Sequence, residues 1–186
     1  MKNLSLILSL VLIFGISIVA NAQKTANHNV KVGISKHALV GVSSASEIVL
    51  EPAAPTVAGE GLDFDAESTS DNSVYLQYSS IIGSSANKIT VAMDGDNLPT
   101  GVSIELTATD DAGAGNGAVG KAVKGAITLS GTSEDIVTNI KNCYTGTGAG
   151  SGHQLTYTLK MGSDAKYEDL TSGNFTNTVT YTITEN

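Results

Sequence analysis

The sequence predicts an all-β fold, an antiparallel Ig-like β-sandwich of Greek-key type. Three observations predict it. Apolar residues recur at every second position along most of the chain, the period of a strand with one dry and one wet face. Thr and Ser fill most of the wet positions, and β-branched Thr suits a pleated surface. The alternating segments are short, and Gly, Asn, Asp and Ser separate them, the residues that turns demand. A single wet face marks antiparallel sheets, because parallel strands are buried on both sides.

The elements follow in chain order. Residues 1–22 read as a secretory signal peptide. Lys2 supplies the charge, Leu4 to Ala20 form the apolar run, and Ala20-Asn21-Ala22 offers small residues for cleavage. The run is at the short limit for a spanning helix and has no charged stop after it, so no membrane anchor is expected once the signal is cleaved. Residues 23–29 read as a flexible N-terminal segment, and 30–186 as a single β-sandwich domain. Val30, Val32 and Ile34 alternate as a first strand, Leu39 to Val42 as a second, and Ile48 to Leu50 as a third. Pro52-Ala53-Ala54-Pro55 breaks any ladder and carries the chain between sheets. Val74, Leu76 and Tyr78 alternate next, then Ile89, Val91 and Met93. Further on come Val102 to Ala108, Ile127 with Leu129, Leu155 to Met161, and finally Val179, Tyr181 and Ile183. Thr132 to Ile140 reads as either a short helical turn or a strand.

The composition removes whole classes of function. All 10 basic residues are Lys, against 18 acids, and the chain has no Trp. The net charge of −8 becomes about −9 when Lys2 leaves with the signal. Such a chain lacks the clustered cations that nucleic acid requires. One Cys and three His exclude zinc ribbons, iron–sulfur sites and disulfide scaffolds. Cys143, alone in an exported chain, reads as a small buried strand residue with no neighbour to activate its thiol; a free thiol or an intermolecular disulfide is the alternative. His28, His37 and His153 show no metal spacing and read as surface or edge residues.

Two motifs resemble chemistry. Gly115-Asn116-Gly117-Ala118-Val119-Gly120 matches a dinucleotide-binding loop, but no helix pattern follows to hold a phosphate, so it reads as a flexible hairpin loop. Asp94 with Asp96, and Asp110 with Asp111, are weak calcium candidates; Leu98 stands where a calcium loop needs its third ligand. No nucleophile elbow is present. Neither a catalytic residue nor a cofactor is expected, and the chain is read as a non-enzyme. Tyr78, Tyr157 and Tyr181 fall on the apolar period and are expected in the core. Tyr75 lies on the opposite face, and Tyr144 and Tyr167 fall outside it.

The chain resembles small exported β-sandwich proteins of Bacteroidota. The likeness rests on the signal end Ala20-Asn21-Ala22-Gln23 and the early strand His28-Asn29-Val30-Lys31-Val32. It rests also on Asn142-Cys143-Tyr144-Thr145-Gly146, Leu155-Thr156-Tyr157-Thr158-Leu159 and the closing Val179 to Thr184. A second resemblance is to fimbrial, pilin-type subunits, with an alternating N-terminal strand, an Ig-like body and an alternating C-terminal strand after Gly173. Cys143 without a partner and Glu185 as penultimate residue depart from that pattern. The resemblances imply a secreted, periplasmic or cell-surface protein of a Gram-negative cell, adhesin-like or fimbria-like. Its partners are then itself or other surface subunits, joined by strand addition through Val30, Val32 and Ile34 or through Val179, Tyr181 and Ile183. The alternative expectation is a carbohydrate- or calcium-binding module using the Gly- and Asp-rich loops.

Overall fold

The structure is a computed structural model and describes residues 25–95, 97–163 and 165–186. The signal segment 1–22 and Asp96 lie outside the described residues. By contact the chain divides into two units, Met1–Ile34 and Ser35–Asn186. The second unit carries the sandwich.

Among the described residues there are twelve strands: β1 His37–Val42, β2 Ser70–Asp71, β3 Tyr75–Ile81, β4 Asn87–Asp94, β5 Val102–Ala108, β6 Asn116–Gly117, β7 Lys121–Ala122, β8 Ile127–Thr128, β9 Glu134–Ile140, β10 Cys143–Tyr144, β11 His153–Met161 and β12 Thr178–Glu185. Every pairing is antiparallel. One sheet has eight strands, with β6-β10-β3-β11-β5-β8 in order, β1 added to β3 and β2 to β11. The other has four, β12-β4-β9-β7. Among the described residues no helix is long and apolar enough to cross a membrane.

The alternation produces the two faces directly. In β3 and β4 buried and half-buried residues alternate along most of each strand. Leu76 and Tyr78 from one sheet meet Ile89, Val91 and Met93 from the other, with Leu106, Ile136, Ile140 and Leu155 closing the core. Full burial of each such side chain contributes about 1.5–3 kcal/mol. The chain also bridges the sheets at one corner, where Leu129 N–H donates to the Ile104 carbonyl and Met93 N–H to the Ser130 carbonyl.

Four readings need correction or resolution. Val30 to Ile34 forms no strand; the ladder of β1 with β3 starts at His37 opposite Ile81, where β3 ends. Ile48 to Leu50 belongs to no strand. Thr132 to Ile140 resolves as strand β9, whose alternation is broken because neighbouring Ile136 and Val137 are both buried and its register against β4 shifts. The fourth concerns His153. It opens β11 but is fully buried, because it shares the inward parity of Leu155, Tyr157 and Leu159.

Candidate functional site

Ile89 and Ile140 are fully buried, and the core opens into a cleft away from them. There the inward residues Val102 and Ile104 of β5, Tyr157 and Leu159 of β11, and Val179 and Tyr181 of β12 line a cleft of about 1070 Å³. Two segments form its walls. One is Ser44 to Pro52, which follows β1; the other is Leu170 to Asn177, which leads into β12. Phe64 and Phe175 also face it, so its lining is aromatic as well as aliphatic. At its floor the Tyr157 and Tyr181 hydroxyls meet at 2.6 Å and bridge the sheets. Burial pushes both phenols above their ordinary range, so the pair stays neutral. Sequence reasoning placed these tyrosines in the core but gave no sign of the cleft, whose walls come from segments far apart in the chain.

The two candidate assembly segments end in different states. Val179, Tyr181 and Ile183 lie in β12, which pairs with β4 in unbroken register from Thr178↔Asp94 to Glu185↔Asn87, and they pack against the core. Val30, Val32 and Ile34 are 76, 81 and 82% exposed. Water therefore covers three alternating apolar side chains of one segment that belongs to no strand.

A second cluster lies inside the body. Tyr78 and His153 stack with ring centroids 5.6 Å apart. His153 Nδ1–H donates to the Thr109 carbonyl at 2.8 Å, so Nε2 accepts from the Tyr78 hydroxyl, also at 2.8 Å. Cys143 is buried nearby, and burial followed by the Asp111 charge pushes its thiol up to about 11. Both His153 nitrogens are thus occupied and neither is left to take a thiol proton. Cys143 is expected to resist a thiol reagent at pH 8 in the folded protein and to react once the chain is unfolded in urea; mass spectrometry before and after unfolding reads the difference.

The loop candidates are structural in their contacts. Asp110 accepts from Ala122 N–H at 3.1 Å and from Lys121 Nζ at 3.2 Å, and the first of these leads in holding its carboxyl below the usual range. Asp111 Oδ2 accepts from Gly113 N–H at 2.9 Å, while its buried Oδ1 has no partner among the described residues. Asp94 ends β4 opposite Thr178. Among the described residues no three His, Cys, Asp or Glu come together as a metal would need. The Gly115 loop is packed rather than loose: a Cβ on Gly115 would lie 1.8 Å from the Tyr144 carbonyl oxygen. Its glycines allow backbone to approach backbone, and strand β7 follows where a phosphate loop needs a helix.

Compared with family models, with curated proteins and with solved structures, the chain matches none, so the reading of its function rests on the residues themselves.

Proposed function

We propose that this is an exported, non-catalytic structural subunit of a surface assembly, adhesin-like or fimbria-like, whose copies join by strand addition. The observation that carries the reading is the contrast between the two candidate segments. β12 is spent on its own sheet, whereas Val30, Val32 and Ile34 keep a strand's alternation with no sheet to bury it. Exposing three such side chains forfeits about 1.5–3 kcal/mol each, which a neighbouring sheet edge recovers. We read the sandwich as Ig-like and of Greek-key type; the repeated passage of the chain between sheets, β3 to β4 to β5 and β11 to β12, supports this. Export and signal cleavage are part of the same proposal and are supported by residues 1–22.

Deleting residues 23–34 behind the intact signal tests it. Polymers of the exported chain, seen by sedimentation and electron microscopy, are expected to vanish. The melting temperature is expected to move by no more than about 2 °C, since the removed apolar residues are exposed. Polymers that persist after the deletion, or a full chain that forms none, would refute the reading.

A further inference from the structure

We infer that the segment Ser44 to Leu50 is a displaceable strap over the cleft, and that lifting it admits residues 29–35 of a second copy. The inference rests on the strand-addition reading above and names the receiving site.

The strap is pinned at both ends. Ser43 N–H donates to the Tyr75 carbonyl at 2.8 Å, and Tyr75 N–H donates back to Ser43 Oγ at 2.9 Å. At the far end Glu51 N–H donates to the Ser68 carbonyl at 3.0 Å, and Ser68 Oγ–H to the Glu51 carbonyl at 2.7 Å. Between these pins no backbone hydrogen bond joins the strap to another segment among the described residues. Its middle is held by side chains alone: Ile48 and Leu50 are half-buried against the core, while Val49 points outward and is 65% exposed. A segment with the alternation of a strand but without a ladder opens at low cost, because no row of hydrogen bonds must break.

What lies beside the strap is suited to a strand. β12 lines the cleft and, among the described residues, pairs with β4 alone; β1 lies close by without a ladder, Lys36 meeting Glu185, so the outer edge of β12 keeps N–H and C=O groups outside any ladder. The inward residues Val102, Ile104 and Val179 are only partly covered. Residues 29–35 offer the matching features: three apolar side chains on one face and backbone groups free for a ladder.

Charge points to the same occupant. Residues 29–35 carry Lys31 and no acid, and Lys36 just beyond them pairs with Glu185 of its own chain. The charged residues lining the cleft are Glu47 and Glu51, both on the strap or its pin. An incoming lysine therefore meets acids at the wall that must move. Segment and cleft are different surfaces of the chain, so the contact is head-to-tail and extends into a filament unless the rotation closes a ring.

The test uses the full exported chain carrying Val30→Asp, Val32→Asp and Ile34→Asp, which keeps the cleft but cannot donate. The probe is a synthetic peptide of residues 27–37, followed by fluorescence anisotropy and hydrogen exchange. The peptide is expected to bind one per chain, to slow amide exchange in β12, and to speed strap exchange, read at the pinning amides of Ser43 and Glu51, at least about tenfold. Adding Ile48→Ser and Leu50→Ser is expected to tighten binding about tenfold, because closure no longer competes. Should that variant fail to fold, the exchange data on the first chain decide alone. A peptide that does not bind, that binds equally with its three apolar residues changed to Asp, or that leaves strap exchange unchanged overturns the inference. Loss of polymers on deleting 23–34 together with unchanged strap exchange would sink the strap and leave strand addition standing.

Discussion

Gly152→Ala is expected to cost about 3–5 kcal/mol of folding stability. Gly152 sits at φ +92°, in the left-handed region. A side chain there costs about 1–2 kcal/mol by itself. A Cβ would also lie 2.2 Å from the Leu76 carbonyl oxygen and 3.0 Å from the Leu76 carbonyl carbon. Those are backbone atoms of β3, at its fully buried Leu76, and they cannot rotate away. Gly150 supplies the control. Its φ is +80°, yet nothing lies within 4 Å of its missing Cβ. Gly150→Ala should therefore lose only the conformational part, about 1–2 kcal/mol. Urea denaturation of both variants checks this, and equal losses would show that the close approach at Gly152 carries no penalty. Set against a typical total of about 5–15 kcal/mol, the larger loss is enough to lower the yield of folded protein.

His153→Phe is expected to cost about 2–5 kcal/mol, although an aromatic ring is kept. His153 is fully buried, and its two nitrogens satisfy the Thr109 carbonyl and the Tyr78 hydroxyl. The substitution orphans the Tyr78 hydroxyl in the core, at about 1–3 kcal/mol, and forces a larger ring into a filled space, at about 1–3 kcal/mol, while the Thr109 carbonyl sits on an exposed residue. It also unties three elements, since Thr109 follows β5, Tyr78 lies in β3 and His153 begins β11. Removing that orphan should recover part of the loss. Tyr78→Phe combined with His153→Phe is expected to be more stable than the sum of the single losses predicts, by roughly 1 kcal/mol or more in a double-mutant cycle. Strict additivity would mean that the two side chains do not act as a pair.

These two residues also show what a sequence reveals. His153 follows a Gly-rich loop, which suggested an edge, but its parity with Leu155 and Tyr157 already put it on the buried face. The long strands β3, β4, β5, β11 and β12 were legible because apolar and polar residues alternate along most of each, and in β3, β4 and β11 buried and half-buried positions follow that alternation. The strands β2, β6, β7, β8 and β10 have two residues each, too short for any period to register. β9 hides its nature behind adjacent buried Ile136 and Val137 and behind Asn139 at φ 60°. The start of β1 was misplaced for a tertiary reason. Even positions are apolar from Val30 to Ile34 and again from Ala38 to Val42, with Lys36 between, and the ladder begins at His37, opposite Ile81 where β3 ends. No local pattern records where a partner strand ends. The cleft was invisible for the same reason, since Ser44 to Pro52, Leu170 to Asn177 and the inward faces of β5, β11 and β12 meet only after folding.

The hydroxyl bridge at the floor of the cleft has an optical consequence. With no Trp in the chain, tyrosine is the fluorophore that dominates its ultraviolet emission, with no indole to drain its excited state. Tyr157 and Tyr181 belong to different sheets and share one hydrogen bond at 2.6 Å. A hydroxyl that donates to a neighbour emits differently from one in water. Part of the tyrosine emission of this molecule is thus sensitive to whether its two sheets hold this pair together, without any added dye.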